Sequence, residues 1–126
     1  MAFLIGGANS AADVTFSVAN SCRFNDDDSA YMHKTPGSDG NKKTWTFSCW
    51  VKRGNLGHSN IFTARTDDDN MSKLYFYSDK IYFKMETGGG GEHGSLVTNR
   101  LFRDSSAWYH LVFRWDTTNG TAGDRM

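Results

Sequence analysis

The sequence predicts an all-β chain folded as an antiparallel β-sandwich. Three observations carry that prediction. Trp45-Thr46-Phe47-Ser48-Cys49-Trp50-Val51 and Trp108-Tyr109-His110-Leu111-Val112-Phe113-Arg114-Trp115 are dense in aromatic and β-branched residues and alternate large apolar with smaller or polar side chains. A strand reads this way when one face packs in a core and the other stays wet. Short runs of this kind recur at intervals of about ten residues with Gly, Asn, Asp and Ser between them, the spacing of a sandwich or jelly roll. Nowhere does an apolar pattern of helical period persist.

Composition agrees. A chain of 126 residues makes one domain at most, and nine Phe, five Tyr and four Trp can fill its core. Thirteen Gly and runs of Asp, Asn and Ser hold the hydrophobic share to 38%, which suits short strands and long polar loops. Fourteen basic residues balance fourteen acidic ones. With no basic stripe, phosphate neutralisation has no footprint, so nucleic acid is not an expected partner. Met1 to Gly7 lacks the charged lead of a signal peptide. No apolar span reaches transmembrane length. Synthesis in a cytosol without membrane insertion is expected, which favours Cys22 and Cys49 as two thiols over a bridge, although the sequence leaves the bridge open.

In chain order, residues 1–12 are small and glycine-rich and form an N-terminal arm. The sandwich spans residues 13–126. Asp13 to Phe24 is extended, with Val14, Phe16 and Val18 on one face. Asn25 to Ser29 turns, Ala30 to His33 is a short strand, and Thr35 to Lys43 is a polar loop with the only proline, Pro36. Thr44 to Lys52 is the strongest strand, with Trp45, Phe47, Cys49 and Val51 on one face and Thr46, Ser48 and Trp50 on the other. Asn60 to Arg65 follows. Thr66 to Asn70 is an acidic turn, and Lys73 to Ser78 and Lys80 to Glu86 pair through a tight Ser78-Asp79 connection. Gly88 to Gly94 is expected to be a mobile loop, because four glycines in a row make regular structure entropically costly. Leu96 to Leu101 pairs again, and Ser106 to Asp116 is the last clear strand. The predicted core comprises Trp45, Phe47, Cys49, Trp108, Leu111 and Phe113.

Trp45 to Arg53, Ile61-Phe62, Leu74-Tyr75-Phe76 and Trp108 to Val112 together resemble the laminin-G-like, or concanavalin A-like lectin, jelly roll. That superfamily carries a "tFSxWVK" strand and a "WxHLVxxxD" strand at comparable separation. The wording of Asp104 to Gly120 is similar to versions found in tailed-phage structural proteins, tail fibres and spikes among them. The resemblance covers residue 14 onward. Members continue with a strand like "xLYVNG" and several more, whereas this sequence ends at Met126. The expectation is therefore an incomplete portion of a longer domain, C-terminal strands missing, or a sandwich that a neighbouring chain completes.

Sugar recognition calls for aromatic faces that stack on ring C–H groups beside polar groups for the hydroxyls. Trp50 is the ligand-binding candidate on its strand, since Trp45, Phe47 and Cys49 claim the core; Tyr75 and Tyr77 are the others, with Tyr82 alike. Simple packing against a layer, loop or subunit is the competing explanation for each. Asp26, Asp28, Asp67 and Asp69 offer hard oxygen ligands for Ca²⁺, and the resemblance implies relatives with Ca²⁺ near the ligand site. Neither acidic run has EF-hand spacing, and solvated turns explain both. No other cofactor is expected. A glycosidase needs a carboxylate pair, and in the superfamily these stand in a Glu-x-Asp-x-x-Glu strand. Only Glu86 and Glu92 are present here, so no catalytic residues are assigned and no enzyme is expected. His110 is read as a buried histidine bonded across the sheet, and His33, His58 and His93 as scattered.

The reading is a virion structural module of a tail fibre, spike or head-decoration element, assembled in the host cytoplasm and attaching to a cell-surface glycan. It would be repeated in a homo-oligomer beside other virion subunits, with multivalency supplying strength. The alternatives are a purely architectural virion module without ligand and a carbohydrate-binding module of a larger protein.

Overall fold

A computed structural model of the chain describes residues 20–89 and 91–126. The chain divides into two compact units, residues 1–38 and 39–126. The N-terminal arm and the apolar alternation at Val14, Phe16 and Val18 lie outside the described residues. In the first unit the acidic run forms one 3₁₀ turn, Asp26–Asp28. The Asp28 backbone amide donates to the Asn25 backbone carbonyl at 3.4 Å and the Asn25 side-chain amide donates to the Asp28 carboxylate at 2.7 Å. The strand expected at Ala30 to His33 does not form: the backbone pairs with nothing among the described residues, and Tyr31 is 81% exposed. A strand exists only through its ladder, and a four-residue apolar run between a turn and a Pro-containing loop supplies none.

The second unit is all β. It comprises β1 (Thr44–Lys52), β2 (Ser59–Arg65), β3 (Met71–Tyr77), β4 (Lys80–Thr87), β5 (Gly91–Val97) and β6 (Trp108–Asp116), followed by a 3₁₀ turn at Ala122–Asp124. Two antiparallel sheets result, one of β1 and β6 and one in the order β2-β3-β4-β5. Together they make the sandwich. β1 meets β6 over nine residue pairs, from Thr44↔Asp116 to Lys52↔Trp108. That register aligns Trp45 with Trp115, Phe47 with Phe113 and Cys49 with Leu111 on the inner face.

The core is aromatic. Leu74, Phe76, Ile81, Phe83, Phe102, Phe113 and Trp115 are buried, and Trp45, Phe47, Phe62, Tyr109 and Leu111 pack against them. The Phe83 and Phe113 rings stack at 4.3 Å between the two sheets, and the Trp45 ring lies within 6.3 Å of four others, those of Phe62, Phe83, Phe113 and Trp115. Offset and tilted contacts of this kind add to the area burial of each ring. Burial raises the Cys49 thiol above its ordinary pKa, and both Cys22 and Cys49 are free cysteines.

Two expectations fail here for physical reasons. Trp108 is not in the core but 55% exposed. Leu111 and Phe113 face inward, so strict alternation along β6 turns Trp108, His110 and Val112 outward. The glycine run is not a loop throughout. Gly88 (φ 64°) and Gly89 (φ 91°) turn the chain in left-handed conformations, and β5 begins at Gly91. The ladder with β4, with a bulge between Met85 and Glu86, compensates the glycine entropy that the sequence alone counts against a strand. β5 thus runs from Gly91 to Val97, not from Leu96 to Leu101.

One buried charge ties the loops to the sandwich. Arg53, just after β1, is 3% exposed. Its guanidinium donates to the Phe102 carbonyl at 2.6 Å and the Gly57 carbonyl at 3.1 Å, lies 3.4 Å from an Asp79 oxygen, and rests 4.6 Å from the Phe76 ring centre. Asp79 and Ser78 form the β3–β4 turn with positive φ of 62° and 47°. The Phe102 amide donates to the Asp79 carbonyl at 2.7 Å, and Arg103 donates to its carboxylate at 3.0 Å. These bonds hold a non-glycine turn in a conformation it would not choose freely.

Candidate functional site

The outer face of the four-stranded sheet follows from its register. Leu74, Phe76, Ile81 and Phe83 point inward, so their neighbours Lys73, Tyr75, Tyr77, Lys80, Tyr82 and Lys84 point outward. The ladder sets Tyr75 opposite Tyr82, Lys73 opposite Lys84 and Tyr77 opposite Lys80, and then Tyr82 opposite Val97 and Lys84 opposite Ser95. On the other side Asn60 faces Tyr75 and Thr63 faces Lys73.

Tyr75 and Tyr82 stack at 5.4 Å with ring planes 24° apart. Tyr77 meets Tyr82 edge-on at 5.7 Å. His58, from the loop before β2, closes the cluster at 5.2 Å from Tyr75 and 5.7 Å from Tyr77. That loop is held from beneath by the bond from Arg53 to Gly57. A shallow hollow of about 220 Å³ is lined by Tyr75, Tyr82, Phe83, Lys84, Ser95 and Val97. It joins aromatic faces to a hydroxyl and an ammonium, the mixture that a ring with apolar C–H faces and polar edges requires.

The ligand candidates named from sequence therefore separate. Tyr75 and Tyr77 share this face, with Tyr82. Trp50 lies on the outer face of the other sheet, 61% exposed. Its indole stacks on His110 at 4.8 Å, and His110 shares a 3.1 Å hydrogen bond with Ser48 across the β1–β6 ladder. His110 thus makes the cross-sheet bond expected of it, but in the open, because it alternates with the inward Tyr109 and Leu111. Sequence reasoning overlooked His58 and the lysines. The period-two runs Lys73-x-Tyr75-x-Tyr77 and Lys80-x-Tyr82-x-Lys84 were the available signal.

Several carboxylates of the acidic runs are already engaged within their own turns. Asp67 already accepts from the Asp69 amide at 2.9 Å and from the Asn70 side chain at 2.9 and 3.1 Å, and the Asn70 bond foremost lowers its carboxyl pKa. Asp68 pairs with Arg65 at 2.9 Å, and Asp28 is the acceptor for Asn25. Among the described residues no group of three or more His, Cys, Asp or Glu is placed to hold a metal ion. Glu86 and Glu92 are register partners across β4 and β5. Lys84 is hydrogen-bonded to Glu86 and lowers its carboxyl pKa, the reverse of the raised value a general acid needs.

Among the described residues no helix is long and apolar enough to cross a membrane. Neither a curated protein nor a solved structure matches this chain. A family model does, over residues 25–122, from the acidic turn through the last strand to the C-terminal turn, the stretch that contains both sheets and the tyrosine face. The chain belongs to the Concanavalin A-like lectin/glucanases superfamily.

Proposed function

We propose that the module binds carbohydrate on the outer face of its four-stranded sheet, with Tyr75 and Tyr82 as the stacking platform. The observation that carries this is the stacked Tyr75–Tyr82 pair, braced by Tyr77 and His58 beside a polar-edged hollow. Rings fixed by one another lose little conformational freedom when a ligand arrives, so a shallow site can still bind. Ser95 and Lys84 supply hydrogen bonds for hydroxyls at the rim. Membership in a lectin-containing superfamily supports the same reading.

The test is a glycan array followed by calorimetry on the hits. Tyr82→Ala and Tyr75→Ala abolish measurable binding while leaving the urea midpoint near that of the parent. Trp50→Ala retains binding. Binding that survives both tyrosine substitutions would remove the site from this face.

The setting we infer is a virion structural protein of the tail-fibre, spike or decoration kind, displayed in several copies and touching host-surface glycans. Its support is the resemblance carried by the wording of Asp104 to Gly120. Mass spectrometry of purified particles from the source organism tests it, and absence of the chain from particles would refute it.

A further inference from the structure

The two outer faces of the sandwich differ in kind. The four-stranded sheet shows tyrosines and lysines, whereas the β1–β6 sheet shows a largely apolar strip. In ladder order its outward side chains pair as Thr46 with Arg114, Ser48 with Val112, Trp50 with His110 and Lys52 with Trp108. Trp50 is 61% exposed, Trp108 55% and Val112 62%. With the His110 ring stacked on Trp50 they offer roughly 400 Å² of apolar surface, the size at which a patch marks an association site. The strip is uneven along its length. Trp50, His110 and Trp108 stand tall at one end, and Thr46, Ser48 and Val112 lie low towards the other. Its two permanent charges are cationic, and each has a carboxylate on its own chain: Arg114 bonds Asp116 at 2.7 Å, and Lys52 acts on Asp104.

We infer that a second copy of the chain packs on this strip, face to face, about a two-fold axis that lies between the faces and runs perpendicular to the strands. That operation lays the tall end of one strip on the low end of the other. Trp50 covers the second copy's Ser48, His110 covers its Val112, and the Trp108 indole lies on its Arg114 guanidinium. Lys52 falls on its Thr46, so no two cations meet. Every contact is made twice, as a closed two-fold interface requires. An axis along the strands would instead set bulk on bulk and hold the low ends apart. Arginine stacks readily on an indole and keeps its bond to Asp116 while doing so. Two such patches with their polar rims bury about 1,000 Å², the lower limit for a specific interface, so the dimer forms reversibly with concentration. The tyrosine faces lie on the far side of each sandwich and stay open, one at each end of the pair, which is how weak sites gain from valency.

Sedimentation velocity of the chain across micromolar concentrations tests this. A monomer–dimer equilibrium is expected, and Trp50→Ser raises its dissociation constant at least about tenfold, as loss of a central indole does. Arg114→Ala raises it about fivefold through the two stacked indoles, and Tyr82→Ala leaves it unchanged. A urea midpoint near that of the parent shows that Trp50→Ser still folds; should the midpoint fall, Val112→Arg makes the same test from the low end. The axis is read by cross-linking in a Cys22→Ser background: chains carrying Thr46→Cys and chains carrying Lys52→Cys are joined by a short bismaleimide faster when mixed than either is alone. Faster joining of either variant to itself would overturn that axis. A chain that stays monomeric, or a dimer that these strip variants leave intact, would overturn the proposal and give the strip to a partner of another sequence or to a saccharide. The carbohydrate reading of the tyrosine face is independent of each outcome.

Discussion

Arg53 offers the sharpest test of how this sandwich holds its loops. Arg53→Met keeps the length and apolar stem of the side chain but removes every donor of the guanidinium. The Phe102 carbonyl at 2.6 Å loses a charged partner in a buried setting, and the Gly57 carbonyl at 3.1 Å loses one in a partly buried setting. Orphaning the buried Phe102 acceptor costs about 1–3 kcal/mol, and the Gly57 bond adds about 1 kcal/mol. Loss of the contact with Phe76 and Asp79 adds to this, giving about 3–5 kcal/mol in total. With a urea m-value of about 2 kcal/mol/M, the unfolding midpoint falls by roughly 1.5–2.5 M. Asp79→Asn is the comparison. Its contact with Arg53 is long, at 3.4 Å, asparagine keeps an acceptor and tolerates the left-handed turn, and the charge-assisted bond from Arg103 at 3.0 Å is weakened, so the expected loss is smaller, about 1–2 kcal/mol. Equilibrium urea unfolding followed by tryptophan fluorescence reads both. A loss below about 1 kcal/mol for Arg53→Met would refute the argument that buried carbonyl bonds make Arg53 the fastener. Equal losses for the two variants would assign that role to the ion pair instead.

The phase of β6 predicts that Phe113→Ala costs about 3–5 kcal/mol, while Trp108→Ala, despite removing a larger ring, costs under about 1 kcal/mol in the same assay. The reverse order would mean the strand faces the other way. Asp104 and Asp116 have carboxyl pKa values held down chiefly by the hydroxyls of Ser106 and Thr118 respectively. A lowered folded value means the unfolded chain binds more protons. Their stabilisation is therefore complete above the ordinary carboxylate pKa of about 4 and is lost as pH falls through the folded values. Urea midpoints measured from pH 6 downward should drop in that window, and Asp104→Asn with Asp116→Asn should flatten the drop. Iodoacetamide under native conditions should label exposed Cys22 first and Cys49 only slowly, because Cys49 packs on the inner face with a raised pKa. Equal rates in mass spectrometry would show that β1 opens readily.

What the residues determine alone is local. Period two in Thr44 to Lys52 and in Met71 to Tyr77 divides each strand into a core face and a wet face, because successive side chains must point opposite ways. That was enough to assign the class, most strand positions and the tight Ser78-Asp79 turn. It was also enough to single out Tyr75 and Tyr77. What tertiary structure decided is everything set by pairing. Ala30 to His33 had strand-like residues and no ladder. Gly91 to Gly94 had poor residues and a ladder, and became a strand. Trp50 and Tyr75 read alike in one dimension, yet they belong to opposite outer faces because β1 and β3 entered different sheets. The meeting of Tyr75 with Tyr82, and of Lys73 with Lys84, depends on register across a turn. No single strand contains that information, since hydrogen bonds between strands choose which side chains become neighbours.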